Sequence, residues 1–274
     1  MLVAVIAGAA AGCLGTLFGV GGGIFLVPVL QFVVGLSFEG AAAVSQITII
    51  GTSIAVACTD ANRRLANVRL AMTLQVLTLG GALAGGFLLG VLSAAVEQRI
   101  FGVTAGVIAV VMLRRLDKRN IILDAGCDVG RLGARIHDPE SRCEVSYRVR
   151  RWPVAFATST AAGAISVLGV GGGVLIVPVL NAWCGVPLRA AAAMSAFMIG
   201  ATAIPGVVAH LKLGHLVVPQ LAAAAVLGVL AGSRLGIWLA PKVGIRALKL
   251  LFALILIAVA TKYLIFIGPR GSAR

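Results

Sequence analysis

The stretch Gly19-Val20-Gly21-Gly22-Gly23, with Val27-Pro28-Val29-Leu30 close behind it, recurs as Gly169-Val170-Gly171-Gly172-Gly173 and Val177-Pro178-Val179-Leu180. An offset of 150 residues superposes the copies, with 16 identities over the 35 ungapped positions 19–53. Further on, an offset of 147 aligns Gly81 and Gly85 with Gly228 and Gly232. A period this long marks a duplication. Four glycines in five residues are poor mid-helix sequence, at roughly 1 kcal/mol each relative to Ala. Yet the flanking sequence is apolar, with no polar residue to mark an ordinary loop.

Composition sets the solvent around these elements. The 274 residues are 60% hydrophobic and 12% charged, with a mean hydropathy of +1.06. A soluble globular domain has about 45–50% apolar and 25% charged residues, so that class is excluded, and a disordered chain more firmly. Six of the 9 acids and ten of the 23 Lys and Arg fall between Arg114 and Arg151. Elsewhere long runs carry no charge. Each half reads as five apolar segments: 2–18, 24–37, 40–58, 70–92 and 98–113, then 153–168, 174–187, 190–209, 216–239 and 246–267. A spanning helix needs about 20 such residues and must satisfy its own backbone.

The expected fold is an all-α polytopic membrane protein with two homologous repeats of four to five apolar segments. Short broken helices follow each GVGGG. Residues 1–113 form the first repeat and 114–151 a polar linker, 152–267 the second repeat and 268–274 a polar tail. Residues 2–18 read as a retained first helix, since no basic n-region precedes them. In the linker, Asp138-Pro139-Glu140-Ser141 is turn-like and Cys143–Val149 alternates like a strand, which predicts a small solvent-exposed hairpin.

The net charge of +14 lies at the ends of apolar segments, so the expected partner is a bilayer with anionic headgroups rather than nucleic acid. With the linker cytoplasmic, Arg63, Arg64, Arg69, Arg189, Arg234, Lys242, Arg246 and Lys249 fall inside. Glu39, Glu97, Arg99, Lys212, Arg270 and Arg274 fall outside. Five crossings per half make the repeats inverted, as in many secondary transporters. The second segment has about 15 residues, or about 22 Å of helix, against about 30 Å of hydrocarbon. If it is a half-span, four crossings per half make the repeats parallel.

Broken backbone at membrane depth survives only where it is buried or lines a wet cavity. A helix starting after such a break offers free N–H groups and a positive dipole end, and bare glycine backbone lets an anion approach. Gly19, Gly21, Gly22, Gly23, Gly169, Gly171, Gly172 and Gly173 are therefore candidate anion-binding backbone. The competing reading is a tight helix hairpin. Ser45, Thr48 and Thr52 share a helix face, and Ser195 and Thr202 repeat two of them. They suit a cavity wall or, equally, helix–helix bonding. Gln31 and Asn181 are repeat-equivalent, without obvious structural duty, and are candidate cavity residues. Gly81/Gly85 and Gly228/Gly232 read as close-packing pairs.

No carboxylate lies mid-span, so coupling to protons would run through the substrate, a His or water. The five scattered cysteines argue against a disulfide framework or zinc site. His210 and His215 flank Lys212 and are not placed to share a metal. No triad, HExxH or carboxylate pair points to an enzyme, and no cofactor motif is present.

The duplicated GVGGG…VPVL, the Ala-rich Ser/Thr-bearing helix after each copy, Ala193–Thr202 and the run Gly228…Gly232…Arg234-Leu235-Gly236 resemble the sulfite exporter family of the TauE/SafE type. The resemblance implies a multi-pass inner-membrane permease moving small sulfur-containing anions such as sulfite or sulfonates, usually outward. Relatives often carry Thr-Ser where this chain has Ser45-Gln46 and Ser195-Ala196, and a Glu near Gln75. The expectation is thus a secondary exporter of small anions working by alternating access. A membrane scaffold or sensor displaying the central loop, and a passive anion channel, are the alternatives.

Overall fold

The computed structural model describes residues 1–59, 65–114, 132–138, 143–149, 151–215, 218–240 and 242–265. Arg63, Arg64, residues 115–131 and 139–142 of the linker, and the tail 268–274 lie outside these. The first half contains α1 (Leu2–Phe18), α2 (Gly23–Phe32), α3 (Phe38–Ala57), α4 (Val68–Leu89) and α5 (Ala94–Arg114). The second contains α6 (Trp152–Ile165), which runs into a π-turn at Ser166–Val170, then α7 (Gly173–Ala182), α8 (Leu188–Lys212), α9 (Pro219–Leu239) and α10 (Ile245–Ile265). Six of the described helical segments are long and apolar enough to cross a bilayer. The protein is a polytopic helical membrane protein.

Local chemistry sets the helix limits. Gly19, at φ 66°, closes α1 with a left-handed cap whose amide bonds back to Gly15 and Thr16 carbonyls, a conformation that costs glycine little. Ser37 Oγ caps α3 by accepting from Gly40 N at 3.1 Å, and Asn67 Oδ1 caps α4 from Leu70 N at 3.2 Å. Helices α2 and α7 start at the last glycine of each GVGGG and run only 10 residues, about 15 Å.

Each half lends its first helix to the other. Gly8 and Gly12 of α1 meet the main chain of Ala225 and Val229 on α9, while Gly228 and Gly232 of α9 meet Val5 and Ala9. Likewise Gly81 and Gly85 of α4 meet Thr160 and Ala164 on α6. These glycines bring backbones together in a way no side chain would permit. The matched numbering shows that each of these pairs runs in parallel.

Equivalent helices of the two halves run antiparallel. On α3 and α8, Gln46 sits against Gly206 while Ser53 sits against Gly200. On α5 and α10, Gly102 sits against Tyr263 and Gly106 against Ala260. The half-span expectation of parallel repeats is therefore not met, although α2 and α7 are half-length. Helix α2 still reverses the chain. Its glycine turn folds back so that Gly22 lies on Ala11. The helix then returns to the face where α1 began, ending with Phe32 against Tyr263 at the far end of α10.

Strands β1 (Ala134–Asp138) and β2 (Cys143–Tyr147) pair antiparallel, Ile136 opposite Val145. The base of this hairpin is docked rather than solvent-exposed. Ser146 and Tyr147 are each 1% exposed. Asn67 Nδ2 donates to Leu132 O at 3.0 Å, and Arg148 O lies against Gly185 in the α7–α8 turn. The hairpin, the α3–α4 and α7–α8 turns and the start of α6 thus share the linker face.

Candidate functional site

The two glycine turns meet at the crossing of α3 and α8. In the first, Gly19, Gly21 and Gly22 have φ of 66°, 81° and 78°; in the second, Gly169 and Gly171 have 79° and 71°. A side chain is excluded here by contact as well as by torsion. A Cβ on Gly23 would strike Gly169 O and Ser45 Oγ, and one on Gly173 would strike Ser195 Oγ and Gly19 O. Each turn therefore packs against the other turn and against the serine that follows it in its own half. All ten residues of the two GVGGG elements are buried.

The amides of Gly21, Gly22, Gly23, Gly171, Gly172 and Gly173 take no hydrogen bond among the described residues. They are the orphan donors expected ahead of a helix. The hydroxyls around them aim at carbonyls. Ser45 Oγ donates to Gly169 O at 2.8 Å. Thr52 Oγ1 lies 3.3 Å from Gly21 O and 3.0 Å from Thr48 O. Thr48 Oγ1 donates to Ser45 O at 2.8 Å and Thr202 Oγ1 to Met198 O at 2.9 Å. Ser195 Oγ breaks the pattern: it is buried with no partner.

Gln31 and Asn181 lie elsewhere, and the structure gives each a duty. Gln31 Oε1 accepts from Tyr263 Oη at 2.6 Å. Asn181 Nδ2 donates to Val186 O at 3.0 Å. Each ties down the end of its own short helix, so neither joins the glycine turns. Three other amides and hydroxyls cross between the halves. Gln46 Nε2 donates to Ser166 O, Ser53 Oγ to Ala196 O at 2.6 Å, and Gln75 Nε2 to Thr202 Oγ1 at 3.2 Å.

A cavity of about 290 Å³ opens on the linker face, between the halves. Its wall includes Thr16, Thr59, Val177, Leu188, Arg189 and Ala192. It ends close to the first glycine turn, since Ala192 is the residue that a Cβ on Gly19 would strike. Thr16 Oγ1 has no hydrogen-bond partner among the described residues. Reasoning from sequence missed these residues. Arg189 reads there as an ordinary basic flank of α8, and no linear signal assigns Thr16 or Thr59 to a common wall.

The offset of 150 carries Val177, Leu188 and Ala192 onto Val27, Phe38 and Ala42. Val27, Phe38 and Ala42 are buried at the opposite face; Val177 and Leu188 are also buried, at 2% and 4% exposure, so the difference between the faces lies at Ala192, half-buried, against Ala42 at 0%. Phe38 and Phe101 pack edge to face at 5.7 Å, and both contact Tyr263, at 6.1 and 4.9 Å. This aromatic cluster fills the place equivalent to the cavity mouth. The same offset carries Arg189 onto Glu39.

Comparison with known proteins agrees with this architecture. The family described as sulfite exporter TauE/SafE matches residues 4–263. A probable membrane transporter protein of Methanocaldococcus jannaschii is 26% identical over 217 residues, covering 76% of this chain and 71% of the relative. No solved structure matches the chain significantly. A match running from α1 into α10, across both glycine turns, shows that the chain belongs to the TauE/SafE sulfite exporter family of membrane transporters.

Proposed function

We propose that the protein is a secondary transporter exporting small sulfur-containing anions, such as sulfite or organosulfonates, across the cell (inner) membrane by alternating access. One observation carries the reading. The cavity opens on the linker face, while at the other face Phe38, which stands where Leu188 lines the cavity, packs with Phe101 and Tyr263 in an aromatic cluster. Two antiparallel halves related in this way have a second arrangement of similar energy, with open and closed ends exchanged.

The described basic residues of the linker face, Arg69, Arg114, Arg148, Arg151, Arg189 and Lys242, support a cytoplasmic linker face by the positive-inside rule. Arg189 at the mouth attracts an anion by charge and by directed N–H donors. Deeper in, the six unbonded glycine amides and Ser195 Oγ are donors in need of an acceptor, and a small oxyanion supplies several acceptor oxygens at once. In the closed arrangement of the turns these donors are sheathed. On this reading Gly19, Gly21, Gly22, Gly23, Gly169, Gly171, Gly172, Gly173, Ser195 and Arg189 serve the substrate. Ser45, Thr48, Thr52 and Thr202 hold the turn carbonyls and helix backbones around it.

The test is flux in proteoliposomes with sulfite, sulfate, organosulfonates and carboxylates. Saturable flux of sulfite or a sulfonate, slowed in Arg189→Gln and less so in Arg189→Lys, is the expected result. Carboxylate-only flux overturns the substrate class. A conductance far above carrier turnover overturns alternating access.

A further inference from the structure

Glu97 is a buried acid that nothing above employs. It lies in the first turn of α5, at the face opposite the linker. It is 1% exposed, and its Oε2 has no hydrogen-bond partner among the described residues. No Lys or Arg forms an ion pair with it among the described residues. Sequence places it at a helix end, where a carboxylate normally reaches water, so its burial is visible only in three dimensions. An orphaned buried oxygen calls for an explanation, and an unpaired carboxylate stripped of water is costly until a cation joins it.

The groups around Glu97 leave that role open. On α3, Glu39 is its charged neighbour and adds a second negative charge. On α10, Tyr263 donates to Gln31, and Lys262 Nζ lies over the Phe32 ring at 3.9 Å. On α5 itself Arg99 is exposed. At the end of α8, His210 is engaged with His215 and Val167 O, and Lys212 is exposed. Helix α7, which packs on α5, carries no titratable residue. No described group of three or more His, Cys, Asp or Glu could hold a metal ion, so a divalent ion lacks ligands.

We propose that Glu97, backed by Glu39, is the binding site of a monovalent cation, a proton or Na⁺, whose binding is coupled to movement of the anion. The inference rests on the transporter reading above and adds a site to it. Position supports it. Arg189 lies at the mouth of the open end, and its repeat-mate Glu39 lies at the closed end beside Glu97. At this repeat-equivalent position the two ends of the pathway carry opposite charge, one suited to the anion and the other to a counter-ion.

The experiment uses the full chain in proteoliposomes with an imposed proton or Na⁺ gradient, and infrared spectra of the same samples. Wild type should build an anion gradient driven by one of the two cations, and the arm that works identifies it. Glu97→Gln should lose that gradient-driven accumulation by at least about tenfold while downhill anion exchange persists. Glu97→Asp, which keeps a carboxyl, should keep coupling with a shifted cation dependence; it also covers failure of the Gln variant to fold. A carboxyl or carboxylate band that responds to pH or Na⁺ should be present in wild type and lost in Glu97→Gln. Unchanged coupling in Glu97→Gln, or no such band, overturns the site. If wild type moves none of the anions yet shows the band, the cation site stands and the transporter reading fails.

Discussion

Ser45 on α3 donates its hydroxyl proton to the carbonyl of Gly169, 124 positions away at 2.8 Å, whereas its repeat-mate Ser195 has no hydrogen-bond partner among the described residues. One bond therefore ties the first half to the glycine turn of the second, with no counterpart in the reverse direction. On the proposed reading, the asymmetry separates a structural serine from one that serves the substrate. Ser45→Ala should cost about 1 kcal/mol of stability, because the buried Gly169 O loses its donor. Ser195→Ala should leave stability unchanged within about 0.5 kcal/mol and reduce anion flux. Thermal unfolding in detergent and proteoliposome flux, run on both variants, check the split.

The glycine turns differ in a second measurable way. Gly22 has φ 78°, and a Cβ there would strike Ala11 O, while its repeat-mate Gly172 is right-handed with Ala162 O at 3.1 Å from the same hypothetical atom. Gly22→Ala should therefore destabilise by at least about 1–2 kcal/mol from torsion alone, and Gly172→Ala by clearly less. Equal melting temperatures would contradict the described turn geometry.

Alternating exposure can be read with single cysteines in a cysteine-free background. Ala192 lines the open cavity and is half-buried, while Ala42, its repeat-mate, is fully buried. A charged thiol reagent on the linker side should modify Ala192→Cys but not Ala42→Cys. Adding Phe38→Ala and Phe101→Ala, which thins the aromatic cluster, should expose Ala42→Cys to reagent on the opposite side.

The docked hairpin rests on Asn67, which accepts from Leu70 N and donates to Leu132 O. Asn67→Asp keeps the acceptor that caps α4 and removes the donor that holds the hairpin. Asn67→Ala removes both and should cost about 1 kcal/mol more. Amide exchange at residues 143–149 should rise in both variants, while the start of α4 loosens only with Ala.

Thiol chemistry reports on the α7–α8 turn. Cys184 is buried there, and burial pushes its thiol up to about 11, with Arg151 pulling weakly the other way. Only the thiolate reacts, so at pH 8 on the order of one molecule in a thousand is competent at this position. Maleimide at pH 8 should modify the exposed Cys58 and spare Cys184 in a Cys13→Ser, Cys127→Ser, Cys143→Ser protein. Because the native state disfavours the thiolate, rising pH removes stability from above the ordinary thiol value toward 11. Rapid labelling of Cys184 in folded protein would show that the turn opens.

Much of the architecture is legible in the linear chain. Uncharged runs of spanning length name the solvent, the glycine clusters locate the helix breaks, and the offset of 150 pairs the two halves. The half-length of α2 and α7 is readable too, since each run from GVGGG to Gly35 or Gly185 is too short to cross. The polar residues were harder to place. Gln31 looks free of duty until Tyr263, 232 positions away, is folded against it. Glu97 looks like a surface acid until its environment closes over it.

What the sequence determined by itself is which segments are helical, where they break and which positions are twins, because hydropathy, glycine torsion and repetition act along the chain. What only the tertiary structure decided is partnership and direction. A glycine pair such as Gly81 and Gly85 states that a backbone can come close, not that it is Thr160 and Ala164 of the other half. A short α2 leaves the parity of crossings open until Gly22 is seen folded onto Ala11. Contacts between residues far apart in the chain are fixed by the packing of whole helices in the bilayer, and no local pattern records them.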